Sequence, residues 1–203
     1  MIYESHEGLE QISIRPCRST DAEKVAKLHQ ELQIGNIAIF GREFLTRFYE
    51  QVLVSNTCEL HVAHDKEKIV GFFLIKTSLQ YSIRNVLGIK KLFIFLARTI
   101  FQPKIFSSFL YLAFAPRRPS SKIMNHELIY LGVCKEYHRM GIGRLLFGSI
   151  RDRFKIIGSR KFAVTVDVED SAAINFYLSM GGQQQEDYVI GTKRVSMLIF
   201  SNT

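Results

Sequence analysis

The amino-acid sequence predicts an α/β (α+β) fold, with strands and helices interleaved along one chain. Three stretches lead there. Glu127 to Ile150 reads as a short apolar strand, a glycine-bearing turn over His138 to Arg144, and the start of a helix at Leu145. Leu60 to Ala63 and Ile69 to Ile75 are apolar runs around a charged turn, Asp65 to Lys68, which together make a hairpin. Val25, Leu28, Leu32 and Ile34 recur at roughly helical spacing behind a Thr20-Asp21-Ala22-Glu23 capping box.

The remaining elements follow from the same rules. Residues before about Gln11 read as a loose end, and Ile12, Ile14 and Pro16 alternate with polar residues as a first strand. Gly35 is placed to stop the first helix, and Phe44, Phe48, Val52 and Leu53 mark a second over about Arg42 to Val54. Ile83 to Phe101 and Ile105 to Ala115 have helix-like content, so about 79–124 is expected to be a helical insertion before the central strand. Lys161 to Val168 alternates and is rich in valine, as a strand does. Ser171 to Met180 is the next helix, capped by Asp170 or Ser171 and ended by Gly181-Gly182. Val189-Ile190 and Val195 to Phe200 are the last strands, around a Gly191-Thr192 turn. The order is β-α-α-β-β-insertion-β-α-β-α-β-β, read as one domain over 1–203.

Composition narrows the function classes. A chain of 203 residues with 47% apolar content can bury a sizeable core. Its three cysteines are isolated, which predicts reduced thiols and a cytoplasmic protein rather than a disulfide framework. The polar start shows no signal peptide, and no apolar run is long enough to span a bilayer. Net charge is +8, and Leu79 to Met124 holds eight basic residues and no acidic one. Four readings of that segment stay open: packing on the core, a cationic amphipathic hairpin on a membrane surface, a homodimer contact, or a lid over the acceptor. Nucleic-acid binding is not expected, because the basic residues are scattered among bulky aliphatics with no recognition motif beside them. The histidines show no metal-ligand spacing, His61 and His64 included, so no metal is expected.

A strand, a glycine turn and a helix N-terminus aim bare backbone N–H groups at an anion. Gly141 and Gly143 lack Cβ and let a ligand approach the main chain, while Arg139 and Arg144 add positive charge suited to a pyrophosphate. The turn lacks the Lys-Ser/Thr ending of a P-loop. Tyr137-His-Arg-Met-Gly-Ile-Gly-Arg-Leu-Leu146 resembles the pyrophosphate loop of GNAT-superfamily acetyltransferases, Gln/Arg-x-x-Gly-x-Gly/Ala, with His138 at the Gln/Arg position. Downstream, Asp170 to Gly182 resembles the same family's Asn-x-x-Ala-x-x-Phe-Tyr-x-x-x-Gly-Phe motif. Ala173, Phe176, Tyr177 and Gly181 match, whereas Asp170 replaces Asn and Gly182 replaces Phe.

The resemblance implies a GNAT-like mixed, mostly antiparallel sheet flanked by helices, and acetyl transfer from acetyl-CoA directly to an amine. It implies that Leu131, Gly132 and Val133 pair with the pantetheine through their main chain. His138, Arg139, Met140, Gly141, Ile142, Gly143 and Arg144 are expected to hold the pyrophosphate, with Asp170, Asn175 and Tyr177 completing the acetyl-CoA site. Tyr177 is the expected general acid, returning a proton to the leaving thiolate. Glu127 is the expected base, with Asp167 a second candidate and a water chain a third. His126 has a suitable intrinsic pKa but alternates to the opposite face from Glu127. Thr165 stands where some protein-acetylating members carry a Glu. Cys134 is not expected to act as a nucleophile, because no base partner is identifiable and direct transfer forms no acyl-enzyme.

The acceptor is expected to be a small amine, anionic in view of the cationic segment, with a nucleotide-linked amino sugar first. The early helical segment followed by a basic Phe/Leu insertion is similar to GNAT proteins that accompany bacterial surface-glycan synthesis. A protein N-terminus or lysine is the alternative acceptor. A non-catalytic CoA-binding or membrane-surface protein is the alternative of another class.

Overall fold

The computed structural model describes residues 12–79, 124–190 and 193–202. The expected loose N-terminal end, nearly all of the expected insertion at about 79–124 and the Gly191-Thr192 turn lie outside these residues. The described chain runs β1 Ile12–Pro16, α1 Ala22–Leu32, α2 Gly41–Leu53, β2 Cys58–Asp65, β3 Lys68–Lys76 and β4 Glu127–Val133. It continues through α3 Ile142–Ile156, β5 Lys161–Asp167, α4 Ser171–Ser179, β6 Gln183–Gln184, β7 Tyr188–Ile190 and β8 Lys193–Ser201.

These strands form one sheet in the order β1-β2-β3-β4-β5-β8-β6, with β7 pairing β8. Every pairing is antiparallel except β4 with β5, which is parallel. Apolar residues alternate to both faces, so two cores form. On one face Val25, Leu28, Phe48, Tyr49, Phe72 and Leu74 pack beneath α1 and α2. On the other, Phe73, Ile75, Leu128, Phe147, Phe162 and Phe200 pack beneath α3 and α4. The fold is the mixed, mostly antiparallel, helix-flanked sheet expected of a GNAT-like chain.

Two helix starts differ from the sequence expectation. The Thr20-to-Glu23 box does not cap α1. A short 3-10 turn, Ser19–Asp21, comes first, and the Asp21 carboxylate accepts the Arg18 backbone N–H at 2.8 Å. Arg15 on β1 draws Asp21 there with donations of 2.6 and 3.2 Å, and the pair holds the Asp21 carboxyl below the usual carboxylate range. The second shift is in α3, which begins at Ile142 rather than Leu145, because Gly141 takes the N-cap in the left-handed conformation (φ +85°). The two-residue strand Gln183–Gln184 is polar and exposed and carries no apolar signature in the sequence.

Candidate functional site

The site begins at a defect in β4. Leu74 pairs with Tyr130 and Ile75 with Leu128, so Ile129 is an extra residue on β4, a β-bulge. A bulge bends its strand and strengthens the local twist. Beyond it β4 parts from β5: their parallel register covers only Glu127 with Ala163 and Leu128 with Val164. The rest of β4 stays on β3 up to the Val133–Gly71 pair, and its other edge faces the opening.

The glycine turn crosses the end of this opening. A 3-10 turn over Lys135–Tyr137 leads in, and His138 Nε2 donates to the Val133 carbonyl at 2.8 Å, tying the turn back to its own strand. Arg139 adopts φ +66° and Gly141 φ +85°. Left-handed residues interspersed with others in a turn make successive N–H groups converge into an anion-binding concavity. For Arg139, which carries a Cβ, this conformation costs on the order of 1–2 kcal/mol, the kind of strain that functional loops retain. The N-terminus of the 15-residue α3 adds its partial positive charge at the same place.

These elements and α4 enclose a cleft of about 930 Å³. Of the residues expected at the acetyl-CoA site, Leu131, Val133, His138, Arg139, Gly141, Ile142, Gly143, Arg144, Asn175 and Tyr177 line it. Gly132, Met140 and Asp170 do not. Gly132 faces the opposite side of the sheet, where an added Cβ would lie 2.7 Å from Ile34 Cδ1 and 2.8 Å from Leu32 Cδ1. Asp170 is the α4 N-cap, its Oδ1 accepting the Ala173 N–H at 2.9 Å, a task Asn and Asp perform equally. The other departure from the motif also has a local cause. A Cβ at Gly182 would sit 2.7 Å from Phe200 Cζ, so the Phe200 ring already takes the space.

Sequence reasoning missed Tyr137, Ser171, Ala172 and Ser179, which also line the cleft. The signal was present in part: Ser171, Asn175 and Ser179 are spaced by four and share one face of α4. Tyr137 gave no such signal. It is held from β2 by a hydroxyl donation to Asp65 Oδ2 at 3.0 Å, and Lys68 lies 5.2 Å from the centre of its ring.

Tyr177 is 8% exposed and packs among Phe147, Phe176 and Phe200. Burial, reinforced by the charge of Asp170, pushes its hydroxyl pKa well above the ordinary phenol value, so it keeps its proton at neutral pH. Among the described residues its hydroxyl has no hydrogen-bond partner.

Glu127 lies on the sheet face opposite Leu128, away from α3 and α4. It is buried, and its Oε1 accepts from Thr165 Oγ1 at 3.0 Å. Thr165 Oγ1 is in turn 3.3 Å from the Tyr188 hydroxyl. Asp167, on the same face of β5, is paired with Lys193 at 2.9 Å. That bond, with the Glu169 backbone N–H, holds it below the usual carboxylate range, so Asp167 is a poor proton acceptor near neutral pH. His126 packs edge-on to Phe154 of α3, and burial lowers its pKa. His61 stacks on Phe73 and bonds Glu59, while His64 contacts Ser13 and the Lys66 carbonyl. Among the described residues no cluster of acidic, histidine and cysteine side chains could hold a metal ion.

The sequence profile of the acetyltransferase (GNAT) family matches residues 109–181, a span that includes β4, the glycine turn, α3, β5 and α4. No curated protein sequence matches the chain. Among solved structures the chain is similar to Arabidopsis thaliana NAA60 in complex with acetyl-CoA, at 18% identity and TM-score 0.60, covering 94% of this chain and 98% of that one. It is similar to the ribosomal-protein-S18-alanine N-acetyltransferase from Escherichia coli, at 14% identity and TM-score 0.57, covering 95% and 94%. It is also similar to a spermidine N-acetyltransferase chimera from Vibrio cholerae and hSSAT, at 14% identity and TM-score 0.62, covering 95% and 96%. At such identities the structural likeness establishes the fold. The matched segment covers about a third of the chain, and the fold is the one these N-acetyltransferases share.

Proposed function

We propose that the protein transfers an acetyl group from acetyl-CoA directly to the amine of an amino sugar, nucleotide-linked, or of a related small molecule. The observation that carries this reading is the cleft itself. It joins a parted β4 edge, a turn with two left-handed residues at a helix N-terminus, and a buried tyrosine whose hydroxyl has no partner among the described residues.

The residues fit acetyl-CoA in kind. The backbone of Arg139 to Gly143 and the N-terminus of α3 suit the pyrophosphate, with Arg139 and Arg144 adding charge. The main chain of Leu131 to Val133 suits the amide-bearing pantetheine arm. Acetyl-CoA supplies the activated thioester. Glu127 takes a proton from the acceptor's ammonium on the α1/α2 face of the sheet, which frees the nitrogen lone pair. Backbone N–H groups of β4 polarise the carbonyl as negative charge develops on it. Tyr177 gives its phenolic proton to the thiolate as the C–S bond breaks and regains one from solvent, to which the newly acylated nitrogen loses its second proton.

Acceptor class rests on charge and on the sequence likeness to proteins of bacterial surface-glycan synthesis. Eight basic residues between Leu79 and Met124, with no acidic one, favour an acceptor bearing a phosphate or pyrophosphate. The test is thiol release from acetyl-CoA with three amines: a nucleotide-linked amino sugar, spermidine and an alanine-terminated peptide. Acetyl-CoA is expected to raise Tm, and the amino sugar to give the fastest release. Preference for the peptide transfers the assignment to protein N-terminal acetylation. Acetyl-CoA protection without thiol release from any amine identifies a CoA-binding protein without turnover.

A further inference from the structure

We propose that Thr165 and Tyr188 are positioning residues that hold the Glu127 carboxylate for proton removal. This rests on the transfer reading above, in which Glu127 is the base. Three oxygens from three strands stand in a row: Glu127 Oε1 on β4, Thr165 Oγ1 on β5, 3.0 Å away, and the Tyr188 hydroxyl on β7, a further 3.3 Å on. The polarity of the row follows from its end. A carboxylate only accepts, so Thr165 donates to Glu127, and its oxygen is left to accept from Tyr188.

The place of this row in the fold is what makes it more than a local bond. Just past the last β4–β5 pair, at Leu128 with Val164, the ladder that would fix β4 against β5 is lost. Thr165 is the first β5 residue beyond that pair, and it reaches back to the first residue of β4. The hydroxyl bond therefore fixes the Glu127 side chain across the point where the strands separate. Tyr188 then fixes Thr165 from a short strand that pairs with β8, opposite Val195. A base needs a defined rotamer toward the ammonium, and a one-ångström misplacement costs far more rate than it costs stability. Among the described residues, charged groups on the same face include Lys76, beside Glu127 on β3, and the Asp167–Lys193 pair farther along β5.

The test is a double-mutant cycle on thiol release with the best amine of the three-member panel. Thr165→Val keeps the shape and removes the hydroxyl. It is expected to lower kcat about 10-fold and leave the KM for acetyl-CoA unchanged. Thr165→Ser restores the donor and should recover kcat to within about twofold. Tyr188→Phe should lower kcat about threefold, and only where Thr165 is present. In a Glu127→Gln background Thr165→Val should have no further effect, because its action passes through the carboxylate. Full activity in Thr165→Val overturns the proposal. So does equal loss in Thr165→Val and Thr165→Ser, or full additivity with Glu127→Gln, since each assigns Thr165 to packing. Absence of thiol release from the unmodified protein refutes the transfer reading instead, and the positioning role falls with it.

Discussion

Tyr177 is a phenol in an aromatic nest, and its burial does two things. It fixes the ring and it keeps the proton on. Tyr177→Phe removes the hydroxyl with almost no change in packing. It should lower turnover about 10²-fold with acetyl-CoA affinity unchanged, measured by thiol release and calorimetry side by side. Gly141 is the opposite kind of residue, valuable for what it lacks. Its φ of +85° is costly to any residue with a Cβ, and it lines the cleft where α3 begins. Gly141→Val should abolish the rise in Tm that acetyl-CoA produces while circular dichroism stays native. Binding that survives would remove the turn from the site. His29 shows how far burial reshapes chemistry away from the cleft. It is fully buried, its Nε2 donates to the Ile34 carbonyl at 2.6 Å, and Nδ1 therefore accepts from the Tyr49 hydroxyl at 2.5 Å.

At the scale of elements, β4 is the strand on which both faces depend. Its bulge at Ile129 opens the cleft on one edge, and Gly132 admits α1 on the other face. A methyl group at position 132 would also meet Phe72 Cε1 at 2.9 Å, and that ring is fully buried. Gly132→Ala should therefore destabilise the protein by about 1–3 kcal/mol, the range for overpacking, as read from urea unfolding. Helix α3 is fastened at its far end by Arg153, which grips both Glu59 oxygens at 2.9 and 3.0 Å. His61 and Arg153 together bring the Glu59 pKa down to about 2. The α3 N-terminus thus meets the cleft while its last turn is anchored to β2.

For the whole molecule the two cores respond to pH in different windows. Burial lowers the His29 pKa to about 4, against about 6.5 for the free side chain. The unfolded chain takes up that proton first, so His29 contributes full stability above pH about 6.5 and loses it as pH falls toward 4. The expected loss is on the order of 3 kcal/mol, reached near pH 4 and flat below. Glu59 has its own window at lower pH, between its ordinary range and about 2, where protonation releases Arg153. Urea titrations at pH 7, 5.5 and 4 should show the first loss. In His29→Gln that slope should disappear, and a slope that persists would place the titrating group elsewhere.

Local physics made much of this legible in advance. Periodicity and turn chemistry placed β2, β3, β4, β5 and α4 within a residue or two, because each carries its own alternating or helical pattern. The spacing of Gly141 and Gly143 marked the turn that leads into α3, and Gly141 takes the left-handed N-cap conformation there. Nothing in the residue order announced the bulge at Ile129, the left-handed Arg139, or the reach of Thr165 to Glu127. Each depends on the register between strands far apart in the chain, which is settled by packing two faces at once. Which oxygens meet where β4 leaves β5 was therefore decided in three dimensions, after the sequence by itself had already specified the kind of fold and the turn at its centre.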